Sequence, residues 1–452
     1  MKVLDKYSNK TIGTIDLDDR IIIEQKLQQA TDFYQNYKLS DSQTRKKYIE
    51  VIISCLKAHK NKLVELISQE TGKPIFYAKS ELDRSIRTAE LGLKYFNKTA
   101  IQELDIDLKD TSFKESFYRR FPVGIVFGIS PFNFPLNLAL HKIIPAIASG
   151  NVILIKPSPY TPLTLDFLVK EINQTVPKGL VTITHCSNEN AEFIVKHPKT
   201  NLISFTGSDQ VGWHIKSLVP KKKVILELGG NAAVYIDESA ELTGLATKIA
   251  KATTLFAGQI CISTQRIFVH EHIYEDFKEA LIAAFKQVTS GNPIDNVTNS
   301  PLIDEVHLRR LLDWIKEAED SGGKILVGGQ AQSTQPPILA PTLIEGGSSS
   351  IKLFTEEAFG PVGVLNAVRD YEAGAYQINN SKYGLQAGVF TTSAKVKDYM
   401  FDHLDVGGVI INGIPGFRKD EMPYGGIKDS GFGREGILYA MEEMTEIKLC
   451  IR

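Results

Sequence analysis

Between Gly124 and Leu228, short uninterrupted apolar runs alternate with helical stretches. The runs are Gly124–Ile129, Val152–Ile155, Leu180–Thr184, Leu202–Phe205 and Val224–Leu228. Continuous Val/Ile/Leu segments of this length suit strands buried on both faces, and the intervals suit crossover helices. The pattern predicts an open parallel α/β sheet. Ligands on such sheets bind at the carboxyl ends of the strands, so the residues that follow each strand are the informative ones.

A second βα series runs from about Ala233 to Gly413. Its strand candidates include Arg266–Val269, Lys324–Val327, Val362–Leu365 and Gly408–Asn412, with helices Ile273–Val288 and Leu302–Ala318 between them. The first hundred residues read as mostly helical. From Gln43, apolar side chains from Tyr48 to Ile67 recur at helical spacing until Gly72 and Pro74 stop the pattern, with Cys55 on the apolar stripe and therefore expected in the core. In Leu104–Arg120 the charges Asp105, Asp107, Lys109 and Asp110 alternate with apolar residues. That suggests a hairpin arm, matched by a terminal strand at Glu446–Arg452. An arm without a core of its own needs a partner surface, which points to a homodimer or homotetramer.

Composition excludes several classes. The 52 basic and 53 acidic side chains leave a formal net charge of −1, no footprint for nucleic acid or an acidic membrane. The longest nearly uncharged stretch, Ile143–Ile155, is too short to span a bilayer. No signal-peptide core follows MKVLDKYSNK, so a cytoplasmic location is expected. The four cysteines, Cys55, Cys186, Cys261 and Cys450, are spaced like neither a disulfide framework nor a zinc site, and no metal is expected.

The strand ends carry the chemistry. After the first come Ser130-Pro131-Phe132-Asn133-Phe134-Pro135, where Asn133 either caps the next helix, as local sequence favours, or donates to a developing oxyanion. The second ends in Lys156-Pro157-Ser158-Pro159; the lysine reaches solvent or binds a nucleotide. The fourth ends in Thr206-Gly207-Ser208, then Gly212. Trp213-His214 exclude a Walker-type loop and the spacing is not G-x-G-x-x-G, yet a small-residue turn opening a helix can seat a pyrophosphate. The fifth gives Glu227-Leu228-Gly229-Gly230. A buried carboxylate there is either paired to a structural cation or raised in pKa as a general base. Cys261, in Gly258-Gln259-Ile260-Cys261-Ile262-Ser263, is an inert thiol or an activated nucleophile. His141 lies on the helix after Pro135, facing a pocket or simply packed as a core or surface histidine. Lys221–Lys223 reads as a solvated turn.

Together these residues resemble the NAD(P)-dependent aldehyde dehydrogenase superfamily. FNFP (132–135), KPS (156–158), FTGS (205–208), ELGG (227–230), GQICIS (258–263), EEAFGPV (356–362) and PYGGIKDSGFGREG (423–436) occur in the family's order across nearly the whole chain. The stretches NFPLNLALHK, CISTQR and FRKDEMPYGG look most like lactaldehyde and phosphonoacetaldehyde-type dehydrogenases, which act on small hydroxylated or anionic aldehydes. The resemblance implies a Rossmann-type cofactor domain (1–103 and 121–228), a second α/β catalytic domain (229–428), and a small β oligomerisation arm with the C-terminal strand (104–120 and 429–452).

It also implies roles. Cys261 matches the nucleophile, Glu227 the base, and Asn133 an oxyanion donor acting with the Cys261 N–H. Lys142 matches a lysine near the proton path. Ser130, Lys156, Ser158, Pro159, Gly207, Ser208, Gly212 and Gly229 match cofactor contacts, and Glu357 and Phe359 match residues holding the nicotinamide ribose and ring. The implied reaction oxidises an aldehyde to a carboxylic acid through a thiohemiacetal and a hydrolysed thioester. Glu227 disfavours the acylating and phosphorylating branches, which do without this base. Many NAD-preferring members carry a glutamate where Pro159 stands, so the choice between NAD and NADP stays open, leaning to NAD. His141 and Arg418 are substrate candidates, Arg418 for an anionic group; Ile260 offers no second cation. Succinate-semialdehyde-type or broad-specificity oxidation is the alternative activity, and a catalytically idle binding protein the alternative class.

Overall fold

A computed structural model describes residues 1–95, 101–109 and 111–452; residues 96–100 and Asp110, one of the arm charges, lie outside the described residues. The five expected strands form at Ile125–Ile129, Val152–Lys156, Val181–Ile183, Thr200–Thr206 and Lys223–Glu227, all parallel. The spatial order places the fifth beside the fourth, then the first, second and third. Chain direction across the sheet therefore reverses between Ile125–Ile129 and Thr200–Thr206. That is the switch point where an open α/β sheet leaves a crevice at its carboxyl edge. Gly431–Phe432 closes one edge, antiparallel to Lys223–Glu227.

The second sheet runs Lys324–Val327, Thr342–Glu345, Val362–Val368, Arg266–His270, Ala233–Ile236, Gln386–Phe390 and Gly408–Ile411; only the first of these is antiparallel. Thr342–Glu345 and Gln386–Phe390 were not singled out from the sequence pattern. Residues 228–232 alone connect Lys223–Glu227 to Ala233–Ile236. So short a connector has no room for a crossover helix. The carboxyl edge of the first sheet is thereby held near the amino edge of the second.

The helical start comprises Arg20–Tyr37, Ser42–Ala58, Lys60–Thr71 and Ile75–Tyr95. The single helix expected from Gln43 is two, joined at His59 and stopped by Gly72 in a left-handed conformation (φ 72°). Cys55 is a correction: it is only partly buried, packed on the margin of the core.

One buried ion pair ties these helices to the first sheet's loops. Glu81 and Lys73, 2% and 1% exposed, form a salt bridge. Glu81 Oε1 also accepts from the N–H groups of Leu136 (3.1 Å) and Asn137 (3.2 Å). The helix Asn137–Ala148 has no side-chain cap of its own, so Glu81 satisfies its first donors. Lys73 Nζ lies 3.7 Å from the Phe134 ring centre and 4.8 Å from that of Phe256.

The arm strand Ser116–Pro122 pairs antiparallel with Gln102–Glu103 on one side and Thr445–Ile451 on the other. Ile447, Leu449 and Ile451 are exposed on the terminal strand at the alternate spacing of one sheet face.

Glu81→Ala should destabilise the protein by about 3–5 kcal/mol, because it strands a buried ammonium and uncaps a helix. The check is the shift in urea-denaturation midpoint; an unchanged midpoint would contradict this role for the pair.

Candidate active site

The first sheet's carboxyl edge supplies Ser130, Lys156, Gly207, Ser208 and Glu227; the second sheet's amino edge supplies Gly229, Cys261, Glu357 and Phe359. The two groups meet. Asn133 Nδ2 donates to Gln259 O at 2.9 Å, and the Phe132 and Phe359 rings pack edge to face with centres 5.7 Å apart. Asn133 is not a helix cap: the helix begins beyond it, with Leu136 at the cap position. The amide, 5% exposed, is turned instead toward the loop that carries Cys261.

That loop is built on an uncommon backbone. Phe256, Ala257 and Gly258 are successively left-handed, with φ of 51°, 53° and 66°. For the two residues bearing a Cβ this costs about 1–2 kcal/mol each. A Cβ at Gly258 would lie 2.0 Å from Gly360 O, so only glycine fits there. Gln259 holds the turn. Its Nε2 donates to Phe256 O and Pro301 O (both 3.3 Å), and its Oε1 accepts from Ile303 N at 2.8 Å. Cys261 is partly exposed beside Ile260, Ile262, Leu385 and Tyr424, and Sγ lies 3.3 Å from Tyr424 Oη. The Cys261 N–H makes no hydrogen bond among the described residues. Burial pushes the thiol up to about 11, against the pull of Tyr424 and Arg418.

Glu227 is 4% exposed, and neither carboxylate oxygen has a hydrogen-bond partner among the described residues. Burial, then the charge of Glu435, raises its pKa well above the ordinary carboxylate range. Glu435 takes the opposite course. Lys142 Nζ donates to its Oε1 at 3.0 Å and Arg418 Nη2 to its Oε2 at 3.1 Å. Although burial opposes ionisation, these two cations keep the Glu435 carboxyl low. Lys142, fully buried, also donates to Thr206 Oγ1 at 2.7 Å. It makes no hydrogen bond to Glu227, but its charge, like that of Arg418, works against the rise in the Glu227 pKa.

His141 faces no pocket. It is 1% exposed, with Nε2 2.9 Å from Asp420 Oδ1 and Nδ1 3.3 Å from Arg418 Nη2. Burial lowers its pKa, so the ring is neutral near pH 7; the bonds fit Nε2–H donating to Asp420 and Nδ1 accepting from Arg418. Arg418 is largely committed as well, with its guanidinium carbon 3.6 Å from the Tyr424 ring centre, yet its buried Nε–H has no acceptor among the described residues.

The cofactor candidates fall on one crevice, and several are left with unused polar groups. Lys156 is 6% exposed, and burial lowers its pKa with only the Cys186 charge opposing; no side chain among the described residues hydrogen-bonds or pairs with its ammonium. Ser130 Oγ is likewise buried without a partner. Ser208 sits at the N-cap of the helix Asp209–Leu218 without a side-chain cap bond, leaving its hydroxyl and the helix's positive end free. Glu357 Oε1 accepts from Gly230 N at 2.9 Å, and burial raises its pKa to about 7. A Cβ on Gly229 would lie 2.7 Å from Glu357 Oε2, so a bare backbone is needed for this approach. Two candidates have local structural work and a third lies open to solvent. Gly212 packs against Leu228, Ser158 accepts from Tyr160 N at 3.2 Å in its own turn, and Pro159 is exposed. These unpaired donors beside an anion-seeking helix end fit a dinucleotide.

Gln259, Glu435, Asp420 and Tyr424 were not assigned from the sequence. All four sit inside quoted motifs, and for Glu435 a carboxylate within the glycine-rich GFGREG was the available signal.

The chain matches the aldehyde dehydrogenase family over residues 1–450. It is 37% identical to a lactaldehyde dehydrogenase of Methanocaldococcus jannaschii, over 100% of this chain and 97% of that protein. It is 32% identical to a 3-sulfolactaldehyde dehydrogenase of Priestia aryabhattai, over 100% and 94%. A crystal structure of glyceraldehyde-3-phosphate dehydrogenase from Methanocaldococcus jannaschii, complexed with NADP, superposes with a TM-score of 0.95 at 35% identity, covering 100% of this chain and 98% of that one. Among the described residues no helix is long and apolar enough to cross a membrane. With the motif residues gathered at one crevice, the agreement in sequence and fold over the full length shows that the chain belongs to the aldehyde dehydrogenase family, as an NAD(P)-dependent enzyme that oxidises aldehydes.

Proposed function

We propose that Cys261 is the nucleophile, Asn133 and the Cys261 N–H the oxyanion donors, and Glu227 the base that hydrolyses the acyl-enzyme. The observation carrying this reading is the convergence of a partly exposed thiol, an unbonded N–H on the same residue and a buried carboxylate without partners. The Cys261 thiolate adds to the aldehyde carbon, and the carbonyl oxygen becomes an oxyanion facing the two donors. Each such donor is worth about 3–4 kcal/mol of barrier. Collapse restores the carbonyl, forming a thioester on Cys261. The nicotinamide, when bound, supplies the acceptor for the hydride that leaves. Glu227 then takes a proton from water, the water oxygen adds to the thioester, and C–S cleavage returns the sulfur as thiolate. Lys142 and Glu435 hold charge next to Glu227 and tune its proton affinity.

The cofactor would be held by Lys156, Ser208 and the end of helix Asp209–Leu218 at its phosphate and ribose groups, with Glu357 and Phe359 toward the nicotinamide. Exposed Pro159 presents no carboxylate against a 2′-phosphate, so NADP is accepted alongside NAD. The substrate is a small hydroxylated or anionic aldehyde. The names of the relatives support this, as does the free Arg418 Nε–H. The exposed row Ile447, Leu449 and Ile451 beside the arm supports self-association into a homodimer or homotetramer. All four cysteines are free, which supports a cytoplasmic setting.

Glu227→Gln should retain a burst of reduced cofactor of about one equivalent and then turn over at least about a hundredfold more slowly. In the native enzyme the base form of Glu227 is lost as pH falls through its raised pKa, so turnover drops on the acid side, above the usual carboxylate range. Stopped-flow absorbance checks both; full-rate steady turnover by the variant would remove Glu227 from this role. Pro159→Glu should lower kcat/KM for NADP relative to NAD by about tenfold through charge repulsion at the 2′-phosphate. An unchanged ratio would place the choice elsewhere.

A further inference from the structure

Tyr424 stands directly beside Cys261. Its side chain is 3% exposed, and its hydroxyl makes one hydrogen-bonding contact among the described residues, the 3.3 Å approach to Cys261 Sγ. Arg418 lies 3.6 Å from the centre of its ring, held there by Glu435 and His141. We propose that Tyr424 is a catalytic residue whose hydroxyl donates a hydrogen bond to the Cys261 thiolate, with the Arg418 guanidinium against its ring strengthening that donor. The proposal rests on Cys261 being the nucleophile.

Between a neutral thiol and a phenol the bond can run either way. Once the sulfur ionises it has no hydrogen, and only the phenol can donate. A hydrogen bond to a charged acceptor is also the stronger kind. The surroundings make this donor matter. Burial raises the thiol to about 11, with Glu357 and Glu227 adding to the rise; Tyr424 and Arg418 act against it. Tyr424 stays protonated throughout the working range, because burial and then the Cys261 charge lift its own pKa well above 10, despite Arg418. The charged or titratable groups facing the pair are thus Arg418, Glu227 and Glu357, and the phenol is the neutral donor among them. Arg418 has a defined effect here: a cation against an aromatic face withdraws electron density and makes the hydroxyl a better donor. When the sulfur becomes a thioester its charge is gone and this bond weakens, so the stabilisation favours the thiolate on both sides of the covalent cycle.

Tyr424→Phe keeps the ring and its packing and removes only the hydroxyl. The test measures iodoacetamide alkylation of cofactor-free protein between pH 7 and 9, with the modified residue located by peptide mass mapping. A charged hydrogen bond of ordinary strength predicts alkylation of Cys261 about threefold to tenfold slower in the variant. Its pH profile should be displaced upward by about half a unit to one unit, and kcat should fall by a similar factor with the aldehyde KM little changed. Equal profiles, or faster alkylation in the variant, would overturn the proposal. Cys261→Ala separates the two readings. If that variant still turns over, the nucleophile assignment fails. If it is inactive while native and Tyr424→Phe proteins alkylate alike, the tyrosine inference alone fails.

Discussion

The active site depends on a connection of five residues, 228–232, which leaves Lys223–Glu227 at the end of one parallel sheet and enters Ala233–Ile236 at the start of the next. A carboxyl edge, where an open sheet gathers polar loops, is thereby set against an amino edge. Glu227 lies at the start of the junction and Gly229 within it. The Asn133–Gln259 hydrogen bond and the Phe132–Phe359 contact close the remaining distance between the two loop sets. Chemistry that needs a thiol, an amide donor and a carboxylate in one place is distributed over both sheets, and the junction brings those parts together.

The crevice concentrates unfavourable arrangements that the surrounding structure over-determines. Phe256 and Ala257 sit in left-handed conformations, held by the Gln259 side chain and its bonds to Phe256 O, Pro301 O and Ile303 N. Two carboxylates are buried close together. Glu435 is given the cations Lys142 and Arg418, and Glu227 is given no direct partner. Unequal pairing separates their proton affinities: one remains ionised and the other is raised toward the range where a base can both release and take up a proton. Lys73 and Glu81 serve a different end, fixing the helix that carries His141 and Lys142 beneath this network.

Much of this was legible in the sequence where the signal is local. The buried strands of the first sheet stand within a residue or two of their apolar runs, and following each to its carboxyl end leads to Ser130, Lys156, Gly207 and Glu227. The same rule misleads in the second sheet, where Cys261 and Glu357 precede their strands; motif resemblance, and no topological rule, pointed to them. Gln386–Phe390 was hidden because Gln386 and Gly388 interrupt its apolar run. His141 is the packed histidine that the sequence allowed as one of its readings, but helical periodicity does not show which buried acid will meet the ring: Asp420 lies 279 positions away. Tyr424 was unreadable for the same reason, its contact with Cys261 spanning 163 positions.

The most direct test of the account is to find which sulfur carries the substrate. Rapid acid quenching of the enzyme mixed with cofactor and a short hydroxyaldehyde, followed by peptide mass spectrometry, should show one acyl adduct, on the Cys261 peptide and released by hydroxylamine. Turnover with Cys261 unmodified, or an adduct confined to Cys55, Cys186 or Cys450, would contradict it.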